Sequence, residues 1–161
     1  MPDSERLQRL AHLEKDCPDC RGEGFVQWPH SGFSLAHGYE RHQCLACKDG
    51  KVFVFGDMVR VKCQHKHGTT KTWIIKEQRY VWKCIDCQGL GTVASQALAV
   101  WVKAAQGAFK DGPAMVSCYF NEISQRYTRF IWRVGGYAGP DDPDPLTALA
   151  MALEKAVGKE T

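Results

Sequence analysis

Seven of the chain's eight cysteines fall between Cys17 and Cys87, and six of them recur in one short phrase. The phrase reads CPDCRGEG at Cys17–Gly24, CLACKDG at Cys44–Gly50 and CIDCQGLG at Cys84–Gly91; a different cluster, CQHKH, places Cys63, His65 and His67 between the second and third copies. A CxxC pair sets two thiolates on one tight turn, the bite that a tetrahedral Zn²⁺ needs at ~2.3 Å per sulfur. Glycines after each pair let the backbone take positive φ and wrap around the metal-bound sulfurs. One such pair is a weak signal and three are a strong one. Cys17, Cys20, Cys44, Cys47, Cys63, Cys84 and Cys87 with one histidine, His65 or His67, make eight ligands, enough for two four-coordinate zinc ions. His42, two residues before Cys44, is the other histidine placed to complete a site.

The CxxCxGxG phrase resembles the cysteine-rich zinc finger of the DnaJ co-chaperone family over residues 17–91, roughly half of the chain. In that family the first pair shares a zinc with the fourth, and the second with the third. The resemblance therefore implies an outer site of Cys17, Cys20, Cys84 and Cys87. It implies an inner site of Cys44, Cys47, Cys63 and His65 or His67. The chain departs from the family phrase at Asp49-Gly50 and at Cys63-x-His65. Family resemblance implies binding of exposed polypeptide, but the HPD tripeptide and a J-type helical domain are absent, so recruitment of a chaperone ATPase is not expected. Paired phrases of this kind also resemble those of lambda-type late antitermination proteins, which act on promoter DNA and RNA polymerase.

The opening MPDSERLQRL does not read as a signal peptide, and no apolar run approaches the ~20 residues of a membrane span. The expected compartment is a reducing cytoplasm, where CxxC pairs mean metal or redox chemistry rather than structural disulfides. Positive charge is concentrated: residues 51–83 hold eight basic side chains against two acidic ones, whereas residues 92–161 balance at seven of each. Such a strip suits an anionic partner.

Around the cysteines the chain reads as three segments: a short helix within 1–16, the cysteine-rich stretch 17–92 and a third unit at 93–161. Residues 4–15 put Leu7, Leu10, Ala11 and Glu14 along one side of the helix. Residues 24–42 read as loop with short extended pieces, broken at Pro29, Gly32 and Gly38. Lys51–Val61 reads as a hairpin turning at Gly56-Asp57. Thr70–Lys83 reads as a second hairpin turning near Lys76–Gln78, with Trp73 opposite Trp82 and Ile75 opposite Tyr80. Lys71, Trp73, Lys76, Arg79, Tyr80 and Trp82 form the candidate binding strip. Its aromatics are expected to cover the zinc module's small core; the alternative is stacking on single-stranded nucleic acid.

Ser95 is placed to cap a helix reaching Phe109, with Leu98, Trp101, Val102, Ala105 and Phe109 on one stripe and Asp111-Gly112-Pro113 ending it. Met115–Asn121 and Tyr127–Val134 read as strands, the second alternating as a half-buried strand does; Cys118 is expected as a buried free thiol. The last helix carries the clearest signals, with Asp144 at the N-cap, Pro145 at the first turn, Gly158 after the end, and Leu146, Leu149, Ala150, Leu153 and Val157 as its stripe. The fold class is thus α+β: a zinc-stapled β-hairpin module followed by a small α/β sandwich of helix, strand, strand and helix. The ending DPDPLTALAMALEKAVG resembles the close of the phage ABA-sandwich domain, which implies a bacteriophage or prophage setting, hence the cytoplasm of a bacterial host, and no chemistry.

The expected function is that of a non-enzymatic zinc protein with a protein partner from host or phage. Nucleic-acid binding is the alternative; no membrane and no small-molecule substrate is indicated. The rival class is an enzyme, either a thiol–disulfide oxidoreductase or a zinc-stapled nuclease using whichever of His65 and His67 is not a ligand. Against the nuclease, the acids nearest these histidines along the chain are Asp57 and Glu77.

Overall fold

In a computed structural model the described residues are 3–29, 39–110, 114–122 and 126–160; at 3, 28–29, 39, 117–121, 127–128 and 159–160 only the backbone is described. The class is α+β. Among the described residues, helices α1 (Asp3–Ala11), α2 (Leu98–Ala108) and α3 (Pro145–Glu160) accompany eleven short strands. Four two-stranded antiparallel ladders make up the middle of the chain. β1 (Glu14–Asp16) pairs with β4 (Lys51–Phe53), and β2 (Phe25–Pro29) with β3 (Tyr39–Gln43). β5 (Arg60–Lys62) pairs with β8 (Thr92–Ala94), and β6 (Thr69–Ile74) with β7 (Arg79–Cys84).

These ladders repeat one plan. In residues 14–53 an outer ladder, β1–β4, encloses an inner one, β2–β3, and a cysteine turn interrupts each side of the ribbon between them. Residues 60–94 do the same with β5–β8 outside and β6–β7 inside. The expected hairpin Lys51–Val61 is therefore corrected: its two strands exist, but each pairs elsewhere. β4 closes the first ribbon and β5 opens the second.

The third unit has β9 (Met115–Asn121), β10 (Arg126–Val134) and β11 (Tyr137–Ala138) in the order β11-β10-β9. Along β10, Trp132 and Val134 are buried and Arg129 and Arg133 exposed, as the alternation requires. β11 adds a third strand to the two expected there. Asp144 caps α3 as expected, its Oδ2 accepting from the Thr147 N–H at 2.7 Å and the Thr147 hydroxyl at 2.7 Å. Gly158 does not end that helix, which runs on to Glu160. Ser95 is not the cap of α2, whose N-cap is Ala97; the Ser95 Oγ instead accepts from the Ala97 N–H, 3.2 Å away. Glu14 lies beyond α1, in β1. The helix stop at 111–113, the breakers Gly32 and Gly38, and the Cys118 side chain fall outside the described residues.

Residues from all three expected segments meet in one apolar core. Leu7, Leu10 and Ala11 of α1 and Phe55 and Val59 from the cysteine-rich stretch pack with Trp101, Phe109, Trp132, Leu149 and Leu153. The Phe55 ring lies 5.8 Å from Trp101 and 6.3 Å from Phe109, centroid to centroid. Gln8 joins α1 to β8: its Nε2 donates to the Thr92 carbonyl at 3.0 Å, and its Oε1 accepts from the Ala94 N–H at 2.7 Å. Arg6 and Arg9 both reach Glu154 on α3, at 3.1 and 2.6 Å. Among the described residues no helix is long and apolar enough to cross a membrane.

Candidate metal centres

Each cysteine turn joins an outer strand to an inner one, so two turns meet wherever a ribbon folds back on itself. Cys17–Gly24 lies between β1 and β2, and Cys44–Gly50 between β3 and β4. The Cys17 N–H donates to the Gly50 carbonyl at 2.8 Å and the Cys44 N–H to the Gly24 carbonyl at 2.9 Å, locking the turns face to face. The approach is so close that a Cβ built on Gly50, at φ +82, would stand 2.1 Å from the Gly22 carbonyl oxygen; only glycine fits. In the second ribbon the Cys63 N–H donates to the Gly91 carbonyl at 2.9 Å and the Ile85 N–H to the Gly68 carbonyl at 3.0 Å.

Two groups of ligand atoms result: Cys17, Cys20, Cys44 and Cys47 in the first ribbon, and Cys63, His65, Cys84 and Cys87 in the second, all atoms of a group within 4.8 Å of one another. Cys17 Sγ lies 3.9 Å from Cys44 Sγ, and Cys20 Sγ 3.5 Å from Cys47 Sγ. Cys63 Sγ lies 3.7 Å from Cys84 Sγ, and Cys87 Sγ 3.8 Å from His65 Nδ1. Sulfurs bound at ~2.3 Å around a tetrahedral zinc stand about 3.8 Å apart. A disulfide would need ~2.05 Å. The spacing fits two zinc ions, one Cys₄ and one Cys₃His.

Proton bookkeeping agrees. Burial, with the Cys20 and Cys44 sulfurs alongside, pushes the Cys47 thiol up to about 12. Burial acts upward on Cys20 as well, but the N–H of Gly24 and the neighbouring cysteines outweigh it and bring that thiol down to about 7. In the second group the His65 N–H acts downward on Cys63, yet burial and the Cys84 and Cys87 sulfurs carry it up to about 11. The N–H groups of Cys87 and Asp86 lower Cys84. Neighbouring thiols thus resist ionising together without a cation among them.

The structure gathers the eight expected side chains, with His65 rather than His67 in the second group, but groups them differently from the expected outer and inner sites. Each zinc site is built within its own ribbon, and Cys17 and Cys20 do not share a site with Cys84 and Cys87. The cause is the ladder plan: β1–β4 closes before β5 begins, so the first two turns have already met. His67 instead meets Asp86, its Nδ1 2.8 Å from the carboxylate. Asp86, inside the last CxxC, is the residue that distance along the chain concealed. His42 lies on β3, exposed and 3.4 Å from Glu40.

The β6–β7 hairpin rises from the second site, with Cys84 as its last residue. Its register differs from expectation: Trp73 lies opposite Tyr80, and Lys71 opposite Trp82. The turn takes four residues, Ile75–Gln78, with Gln78 at φ +49. Pairing of alternate residues keeps Lys71, Trp73, Tyr80 and Trp82 on one face. That face is open, so the rings do not cover the module's core: Trp73 is 47% exposed, Tyr80 59% and Trp82 69%. Trp73 and Tyr80 touch at 4.7 Å between centroids, and Lys71 Nζ stands 4.7 Å from the Tyr80 ring. Arg79 is paired with Glu77.

Comparison with protein-family models, with curated proteins and with solved structures finds no match to this chain.

Proposed function

We propose that this chain is a non-enzymatic binding protein in which two structural zinc ions staple paired β-ribbons and the second ribbon presents the contact face. The observation that carries this reading is the closed donor set of each site. Four protein ligands surround each zinc position, and a tetrahedral ion so held keeps no place for water or substrate. The thiolates are committed as ligands, which argues against a thiol–disulfide catalyst. His67 and Asp86 supply one imidazole and one carboxylate, which is not enough for a further metal cluster among the described residues. A reducing cytoplasm suits thiolate ligands. The DnaJ-type phrase and the phage-like ending add resemblance: the first points to a polypeptide partner, the second to a phage or prophage setting. The tandem pairing of the ligands departs from the arrangement on which the DnaJ analogy rests, so the contact face is placed on the exposed hairpin.

Native mass spectrometry tests the metal part. Two zinc ions per chain are expected, with the seven ligand cysteines protected from a thiol reagent. A single ion, with either cluster fully reactive, would refute the two-site reading.

A further inference from the structure

We infer that the open face of the β6–β7 hairpin binds single-stranded nucleic acid, stacking unpaired bases on Trp73, Tyr80 and Trp82; the inference rests on the hairpin being the contact face. Three large rings on one face of a two-stranded ribbon, each about half exposed or more, are an unusual burden for a surface. What distinguishes this patch from a protein-docking patch is the charge around it. Residues 66–83 carry Lys66, Lys71, Lys76, Arg79 and Lys83 against Glu77 alone. Glu77 is taken by Arg79, and the four lysines form no ion pair among the described residues. Lys71 shares the ring face and Lys76 lies in the turn at its end, so rings and cations complement a ligand that offers flat π-faces and phosphates along one line. Tyr80 and Trp82 are two residues apart on one strand, so roughly 7 Å separates them, room for successive bases. A duplex covers its base faces by stacking within itself, so these rings have less to gain from it.

The hairpin's base is closed by the second zinc site through Cys84 and the Ile85 N–H to Gly68 carbonyl bond. Zinc therefore holds the two strands in the register that puts the rings side by side. The face is the same for DNA and RNA, since stacking needs neither a 2′-hydroxyl nor a thymine methyl group.

The test uses the zinc-loaded full chain and fluorescence anisotropy with labelled oligothymidylate, oligouridylate and a mixed-sequence duplex at two salt concentrations. Both single strands should bind more tightly than the duplex; a preference for one of the two would identify the source. Trp82→Ala should weaken single-strand binding roughly 5- to 150-fold, with Trp82→Phe restoring most of it. Lys71→Ala and Lys76→Ala should flatten the slope of log affinity against log salt by about 0.7 for each lysine that contacts a phosphate. Met115→Ala, exposed on another sheet, should change nothing. Zinc content and near-ultraviolet dichroism of each variant confirm folding, and Tyr80→Ala provides a second truncation. Equal binding of the duplex, or single-strand binding indifferent to Trp82 and Tyr80, overturns the inference. A reduced, carboxymethylated polypeptide serves as the parallel probe. If it binds through Trp82 while oligonucleotides do not, the nucleic-acid inference falls and the hairpin remains the contact face. If neither probe responds to the hairpin variants, both readings fall.

Discussion

Stripping the metals with a strong chelator at neutral pH should erase amide-exchange protection in the four ladders between Glu14 and Ala94 while leaving α2 and α3 protected. An isolated two-stranded hairpin is marginal in water. The outer ladders here are only three residues per strand, and the apolar contacts around each cluster are chiefly the cysteines with Val26, Val52 and Val93. Structural zinc supplies about 10–16 kcal/mol per site at pH 7 in zinc-finger peptides, far above anything these ladders contribute alone. The helices have separate support, because Trp101, Phe109, Trp132, Leu149 and Leu153 pack in a core that includes none of the cysteines or His65. Persistent ladder protection in the chelated protein would show that zinc is incidental to the fold.

Trp101→Ala should have the largest effect of any single truncation in the core, about 3–5 kcal/mol of stability, measured by denaturant unfolding of the zinc-loaded protein. The side chain is 0% exposed and touches Phe55 across the junction between the ribbons and the helices. Its indole N–H also donates to the Ser95 carbonyl at 2.7 Å, a buried bond whose loss leaves that oxygen unsatisfied. Because Phe55 follows β4 and precedes β5, the cavity should loosen the link between the two ribbons as well as α2. A cost below about 1 kcal/mol would mean that this core is not the one that holds the chain together.

The cysteine turns were legible in the sequence because a CxxC pair announces its own turn. Their pairing was not, because it is decided by β1–β4 and β5–β8, strands of three residues that carry no periodic pattern. The same limit explains Lys51–Val61, where Gly56-Asp57 is a genuine turn signal but each flanking strand finds a partner farther away. The β6–β7 hairpin was legible in outline. Its register moved by two because the turn is centred one residue earlier, between Lys76 and Glu77, yet a shift of two preserves the face, so the grouping of Trp73, Tyr80 and Trp82 survived. Their exposure could not be read from the sequence, since alternation marks two faces without saying which one is covered. The cap at Asp144 was legible because its hydrogen bonds are made within one turn. Neither the packing of α1 on β8 and α3 nor the meeting of His67 with Asp86 leaves a local trace, both being long-range contacts.

Cysteine labelling of the Cys84→Ser variant tests most directly whether the two zinc sites are self-contained, each within its own ribbon. The variant is alkylated under native conditions and the labelled positions mapped by mass spectrometry alongside a zinc count. Local pairing predicts that Cys63 and Cys87 become reactive, that Cys17, Cys20, Cys44 and Cys47 stay protected, and that one zinc is retained. Labelling of Cys17 and Cys20 together with Cys87, while Cys44, Cys47 and Cys63 remain protected, would contradict it and restore the interleaved arrangement.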